Sequence, residues 1–96
     1  MQIRKWNVYL ADLNPGFGTE PGKLRPVVVI QTNLLNDASH PSTLICPTTS
    51  QILPNKNVLR VHLKRGEGNL KEPSDVLIDQ IRAIDIRRCI GEIGFI

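Results

Sequence analysis

The stretch Arg25-Pro26-Val27-Val28-Val29-Ile30-Gln31 is the strongest indication of the fold. A continuous run of β-branched residues is typical of a strand that is buried on both faces of a sheet. A proline at the first position of such a strand removes no important ladder hydrogen bond. The sequence therefore predicts a central strand over Val27–Gln31, which the chain enters directly from Arg25.

Short runs of the same kind lie on both sides of this strand and are separated by Gly, Pro and Asn. The runs that we expect to form strands are Trp6–Leu13, Thr43–Cys46 (ended by Pro47), Val58–Leu63, Val76–Ile78, Ile81–Ile86 and Cys89–Ile93. In Val58–Leu63, alternation predicts that Leu59, Val61 and Leu63 face the core while Arg60 and His62 face water. Thr32–Asp37 favours one helical turn, with Asn33 as its cap. Five to seven short strands predict a mainly β protein, a small and partly open β-barrel formed by one domain over residues 1–96.

Composition excludes several classes of protein. The 96 residues are 41% hydrophobic and 22% charged, which is typical of a globular chain, and the net charge of +3 permits an acidic partner such as nucleic acid. The longest apolar run, Val27–Ile30, is far shorter than the ~20 residues that cross a bilayer. Cys46 and Cys89 match no metal or redox spacing, and we expect two buried thiols in a cytoplasmic protein.

The two histidines argue against metal-dependent chemistry. His40 lies in a predicted loop and His62 on a predicted strand, and neither joins a His/Cys or His/carboxylate cluster with metal-ligand spacing. The chain also lacks a G-x-S-x-G elbow and a phosphate-binding glycine loop. We therefore expect neither metal nor cofactor, and any catalysis would use Arg, Thr, Ser, Asp and Glu.

The loop that precedes the central strand is the first candidate site. Asp12–Pro26 is rich in Gly and Pro and carries Glu20, Lys23 and Arg25. A guanidinium fixed at a strand entrance is suited to phosphate recognition. Alternatively, Arg25 pairs with Glu20 and only pins the loop.

Three successive hydroxyl groups form the second candidate site. Thr48, Thr49 and Ser50 follow Pro47, where we expect the preceding strand to end. Their hydroxyls could bind a phosphate or a base edge, or they could cap backbone groups of a turn.

The third candidate is a polar interruption of the apolar stretch Ile78–Asp85. Asp79, Gln80 and Arg82 lie within it, so at least one of them should be buried and hydrogen-bonded. A structural network and a ligand-facing site are equally compatible with this pattern.

Together these segments resemble the MazF/PemK/Kid family of toxins from toxin–antitoxin systems. The matching pieces keep the family's order and approximate spacing from Trp6 to about Ile86. They are Val8-Tyr9-Leu10-Ala11-Asp12-Leu13-Asn14-Pro15, Gly18-Thr19-Glu20, Arg25-Pro26-Val27-Val28-Val29-Ile30, Pro47-Thr48-Thr49-Ser50-Gln51-Ile52 and Asp79-Gln80-Ile81-Arg82-Ala83-Ile84-Asp85.

The resemblance implies an SH3-like barrel of the CcdB/MazF type with short helical turns. It also implies a homodimer that cleaves single-stranded RNA as an mRNA interferase, without metal, and that is silenced by an antitoxin with an acidic C-terminal segment. The implied catalytic residues are Arg25, Thr49 and Glu20, with Glu20 as the possible base. The implied RNA-binding residues are Thr19, Lys23, Thr48, Ser50, Asp79 and Gln80.

Some features depart from the family pattern. Thr19 and Leu77 occupy positions where some relatives carry a catalytic histidine and arginine, so that version of acid–base catalysis does not transfer. The family's usual C-terminal helix has no counterpart before Ile96. The alternatives are a non-enzymatic toxin of the same fold that binds a protein such as DNA gyrase, and an inert nucleic-acid-binding barrel.

Overall fold

A computed structural model of the chain describes residues 2–19, 22–52 and 59–96. Within these residues it contains one short helix, α1 (Asn33–Asp37), three 3-10 turns and seven strands. The strands are β1 (Asn7–Asp12), β2 (Leu24–Val29), β3 (Ser42–Thr49), β4 (Arg60–Leu63), β5 (Ser74–Leu77), β6 (Arg82–Asp85) and β7 (Cys89–Phe95). The 3-10 turns are Glu67–Asn69, Ile78–Gln80 and Ile86–Arg88. In the described part of the chain, no helix is long and apolar enough to cross a membrane.

The strands form one antiparallel sheet in the order β4-β5-β3-β2-β1-β7. The long strand β3 organises it, because one of its edges pairs with β2 while the other pairs with β6 over Ser42–Ile45 and with β5 over Thr48–Thr49. The described strands do not close into a ring, so the fold is a curled sheet in which β4, β6 and β7 each pair along one edge only. This confirms the mainly β architecture.

Pro47 does not end β3 as the sequence predicted. The strand continues to Thr49, and Pro47 lies opposite Val27 of β2. On the other edge of β3 the pairing with β6 stops at Ile45 and the pairing with β5 begins at Thr48. Pro47 therefore lies in a gap between two partners, where no ladder needs its missing N–H.

Both faces of the central strands are buried, as the run Val27–Val29 predicted. Val27 and Val29 pack with Tyr9 and Ile45 on one face, whereas Val28 packs on the other. The second face is completed by Val8, Cys46, Leu63, Leu70 and Val76. The predicted burial of both thiols is confirmed, and burial raises the pKa of Cys46 and of Cys89.

Two local predictions are wrong. Leu59 and Val61 are 54% and 49% exposed, because β4 is an edge strand and only its last residue, Leu63, reaches the core. The cap of α1 is Thr32, whose hydroxyl accepts from the N–H of Leu34, and not Asn33.

Candidate functional site

Arg25 is held at the entrance of β2 by two backbone carbonyls. Its Nε donates to the carbonyl oxygen of Gly22 at 2.8 Å, and a terminal guanidinium nitrogen donates to that of Thr48 at 3.1 Å. No carboxylate of the described residues forms a salt bridge with it. Because both anchors are neutral, they fix the direction of the guanidinium without neutralising its charge. Glu20 lies outside the described residues, so its pairing with Arg25 stays a prediction.

The loop before Arg25 is tied down from within and from the 3-10 turn that precedes β7. The side chain of Asn14 accepts from the N–H of Lys23 at 2.7 Å, and Lys23 has a left-handed backbone with φ +67°. Arg88 donates to the carbonyls of Asp12 and Asn14 at 3.0 and 2.8 Å. Thr19 and Lys23 are exposed on this loop. The loop thus presents one lysine beside a fixed arginine.

Neighbouring threonines at the end of β3 have different environments. Thr48 is 1% exposed, and its hydroxyl donates to the carbonyl of Pro26 at 2.7 Å. Thr49 is only half-buried, and its hydroxyl accepts from the N–H of Gln51 at 3.1 Å while remaining able to donate. Ser50 is exposed. The hydroxyl of Thr48 therefore joins β3 to β2, whereas the predicted catalytic residue Thr49 and the predicted RNA contact Ser50 are accessible.

A groove with a volume of about 800 Å³ runs beside these residues. Five predicted site residues line it, namely Lys23, Arg25, Thr48, Thr49 and Ser50. The lining also includes residues that the sequence did not indicate, namely Asn69, Lys71, Glu72, Glu92 and Ile93. They come from the β4–β5 connection and from β7, which only the sheet topology brings to the same groove as Arg25.

The remaining predicted contacts, Asp79 and Gln80, are not part of the groove lining. They belong to the 3-10 turn that follows β5, where Asp79 is exposed and Gln80 is half-buried. Neither they nor Arg82 is fully buried, so the predicted buried network is wrong. The reason is that the turn lies at the surface, between β5 and β6. Arg82 does keep one buried guanidinium nitrogen with no hydrogen-bond partner among the described residues.

A second polar cluster, which the sequence reasoning also missed, lies on β4 and β5. Asp75 is 4% exposed, and one carboxylate oxygen lies 2.9 Å from Nδ1 of His62 while the other accepts from Arg60 at 3.3 Å. The available sequence signal was a carboxylate directly before the apolar residues of β5. The described residues contain no group of three His, Cys, Asp or Glu side chains that could hold a metal ion.

A small, curled antiparallel sheet with cationic and hydroxyl side chains along a groove is typical of nucleic-acid-binding modules. Comparison with known sequences identifies the protein family. The profile of the PemK-like, MazF-like toxins of type II toxin–antitoxin systems matches residues 4–96. The chain is also 36% identical over 94 residues to endoribonuclease MazF of Staphylococcus epidermidis, an alignment that covers 98% of this chain and 78% of that protein. The chain therefore belongs to the PemK-like, MazF-like toxin family.

Solved structures show the same fold. MazF from Deinococcus radiodurans (crystal form I) superposes with a TM-score of 0.81 at 23% identity, over 99% of this chain and 82% of that one. The Mycobacterium tuberculosis toxin MazF-mt6 superposes with a TM-score of 0.75 at 19% identity, over 94% and 79%. At these identities the likeness concerns the fold, and it confirms the expected MazF-type architecture.

Proposed function

We propose that this toxin is an endoribonuclease that cleaves single-stranded RNA at specific sequences without a metal ion. The observation that carries the proposal is the arrangement at the junction of β2 and β3. Arg25 is anchored there by the Thr48 carbonyl, and the accessible hydroxyl of Thr49 is the next side chain along β3. Both line the same groove. The name of the relative from Staphylococcus epidermidis supports the reaction class.

The chemistry needs no external nucleophile. The ribose 2′-oxygen attacks the adjacent phosphorus in line, the bond to the 5′-oxygen breaks, and the products end in a 2′,3′-cyclic phosphate and a 5′-hydroxyl. Negative charge develops on the phosphorane oxygens, where a fixed guanidinium stabilises it best. Arg25 supplies that charge, and the hydroxyl of Thr49 donates a hydrogen bond to the scissile phosphate. Glu20, which lies outside the described residues, is the carboxylate that the family resemblance implies as a possible base.

RNA bases and flanking phosphates would be bound around this centre. Lys23 and Ser50 are exposed residues of the groove lining, and Lys71 adds a further cation to it. Thr19 is exposed on the loop that precedes Lys23. Asp79 and Gln80 are accessible on their turn and can read the edges of unstacked bases. We propose that these two bind bases that flank the cut.

We further propose that the toxin acts as a homodimer. Leu44 of β3 lies opposite Ala83 of β6, both are exposed, and Ile81 next to β6 is 48% exposed. A stable interface would bury on the order of 800 Å² per subunit, and this apolar strip would contribute to it. Light scattering at micromolar concentration should give twice the 10.7 kDa of one chain. A species of 10.7 kDa alone would contradict the proposal.

Regulation would come from the antitoxin that defines a type II system. An acidic, disordered segment would compete with RNA for the cations of the groove, Lys23, Arg25 and Lys71. A peptide of this kind should inhibit cleavage, and salt should weaken the inhibition because it screens the attraction. Inhibition with undiminished RNA binding would contradict competition.

Cleavage of a long RNA in EDTA tests the enzymatic proposal. The wild-type protein should cut at a repeated short sequence, and Arg25→Ala should not. Intact RNA with the wild-type protein would contradict the proposal and favour a toxin that binds a protein target.

A further inference from the structure

His62 lies in a row of polar residues that crosses three strands. Thr49 of β3 is directly opposite Asp75 of β5, and Asp75 is directly opposite His62 of β4. Residues that are opposite each other in an antiparallel pair project from the same face of the sheet. With strands about 4.8 Å apart, the backbones of Thr49 and His62 are separated by only about 10 Å. The imidazole and the groove threonine therefore share one face.

Hydrogen bonds connect the two ends of this row. The N–H of Gln51 donates to the hydroxyl of Thr49 at 3.1 Å, and the carbonyl of Gln51 accepts from Arg60 at 3.3 Å. The same guanidinium nitrogen of Arg60 donates to Asp75 at 3.3 Å. Arg60 thus ties the turn after Thr49 to the carboxylate that holds His62, which fixes their relative positions.

The contact with Asp75 also suits one tautomer of the imidazole. A carboxylate that accepts a hydrogen bond from Nδ1–H of a neutral imidazole leaves Nε2 with the lone pair of a proton acceptor. The His62 side chain is 50% exposed, whereas that of Asp75 is 6% exposed. The buried carboxylate therefore orients an accessible base. The other charged groups on described elements packed against β4 are Arg60 on β4 itself and Asp79 on the turn after β5.

We propose that His62, oriented by Asp75, is the general base of the cleavage reaction. This inference rests on the proposed ribonuclease function and assigns its proton acceptor. With the scissile phosphate at Arg25 and Thr49, the neighbouring ribose lies over Asp75. Nε2 of His62 takes the proton of the 2′-hydroxyl as its oxygen bonds to phosphorus. The bond to the 5′-oxygen breaks, that oxygen takes a proton from water, and His62 returns its proton to solvent.

The test compares His62→Gln with His40→Gln, which alters the other histidine of the chain. His40 is exposed in the loop after α1 and lines a separate cavity. Removal of a general base costs ~10²–10⁴-fold in rate, so kcat of His62→Gln should fall by at least ~10² with little change in KM. His40→Gln should cleave like the wild type. Asp75→Asn should lower kcat less, because it misorients the imidazole without removing it.

The pH profile separates proton transfer from a structural role. Wild-type kcat should rise with pH to a plateau, and His62→Gln should lack this rising limb. Circular dichroism checks that each variant is folded. If His62→Gln is unfolded, the kcat of Asp75→Asn and the pH profile of the wild type test the assignment instead. Wild-type kcat with no such limb would overturn the assignment, as would cleavage by His62→Gln at the wild-type rate. If Glu20→Gln loses at least ~10²-fold in kcat while His62→Gln keeps the rise of kcat with pH, the general base is Glu20 and not His62. A wild-type protein that leaves RNA intact would contradict the proposed function itself.

Discussion

Thr48 and Thr49 are adjacent in sequence and should respond in opposite ways to the same substitution. Valine replaces the threonine hydroxyl with a methyl group of similar size, so each change removes one hydrogen-bonding group and little volume. At Thr48 the lost group is a buried donor to the Pro26 carbonyl. At Thr49 it is the accessible hydroxyl that we propose to contact the scissile phosphate. Thr48→Val should therefore affect stability, and Thr49→Val should affect activity.

The surroundings of each hydroxyl set the magnitudes. Thr48 is 1% exposed and its hydrogen bond is 2.7 Å long, so its loss leaves an acceptor without its partner and should cost about 1–3 kcal/mol. For a chain of this length, each kcal/mol lowers Tm by about 4–8 °C. Thr49 is half-buried and accepts one backbone hydrogen bond, so Thr49→Val should cost about 1 kcal/mol or less. Removal of a transition-state donor costs ~10²–10³-fold in kcat.

Both variants are measured by thermal unfolding and by cleavage of a fluorescent RNA well below their Tm. Thr48→Val should melt several degrees lower and retain most of its kcat. Thr49→Val should melt near the wild type and lose at least ~10²-fold in kcat. If both variants cleave like the parent, the hydroxyls are structural and the assignment of Thr49 is wrong.

Substitutions at Arg25, Gly94 and Asp85, with Gly91 as a control position, test the site and the fold. Arg25→Ala should lose at least ~10²-fold in the rate of cleavage and remain folded. Arg25→Lys should restore only part of the rate, because a point charge cannot replace the planar guanidinium; full restoration would contradict this role. An added Cβ at Gly94 would lie 2.5 Å from the carbonyl oxygen of residue 68, so Gly94→Ala should cost about 1–3 kcal/mol in chemical denaturation. The matched Gly91→Ala meets nothing within 4 Å and should change stability by less than about 0.5 kcal/mol, and equal losses would refute the packing argument. Hydrogen bonds from Arg87 lower the pKa of Asp85 from 3.8 to about 2. The ionised Asp85 therefore contributes to stability above pH 3.8, and this contribution is lost as pH falls towards 2. Asp85→Asn should flatten that part of a plot of Tm against pH.

Short-range sequence patterns predicted the central strand and the loop that precedes it. The run Val27–Val29 is buried on both faces because apolar side chains on both sides of one strand can be satisfied only inside a sheet. The loop that leads to Arg25 was recognisable from its glycines and prolines. The extension of β3 past Pro47 was not, because it depends on a gap between two partner strands on one edge.

The site was predictable only where its residues are close in sequence. Thr48 and Thr49 are the same residue type and adjacent in sequence. Only the packing of β3 against β2 makes the hydroxyl of Thr48 buried and that of Thr49 accessible. His62 and Asp75 are 13 residues apart and meet through strand register alone. From sequence spacing alone, His62 could be assessed only as a metal ligand, and that role was excluded because no further ligand lies at a suitable spacing.

Cleavage of an RNA oligonucleotide with a single 2′-deoxy substitution tests the central claim most directly. The substitution is placed on the nucleotide immediately 5′ of the mapped cut. The account predicts that the all-ribose oligonucleotide yields a 2′,3′-cyclic phosphate and a 5′-hydroxyl in EDTA, and that the substituted one is bound but not cut. Cleavage of the 2′-deoxy oligonucleotide at the same position would contradict the account, because water would then be the nucleophile at the phosphate held by Arg25 and Thr49.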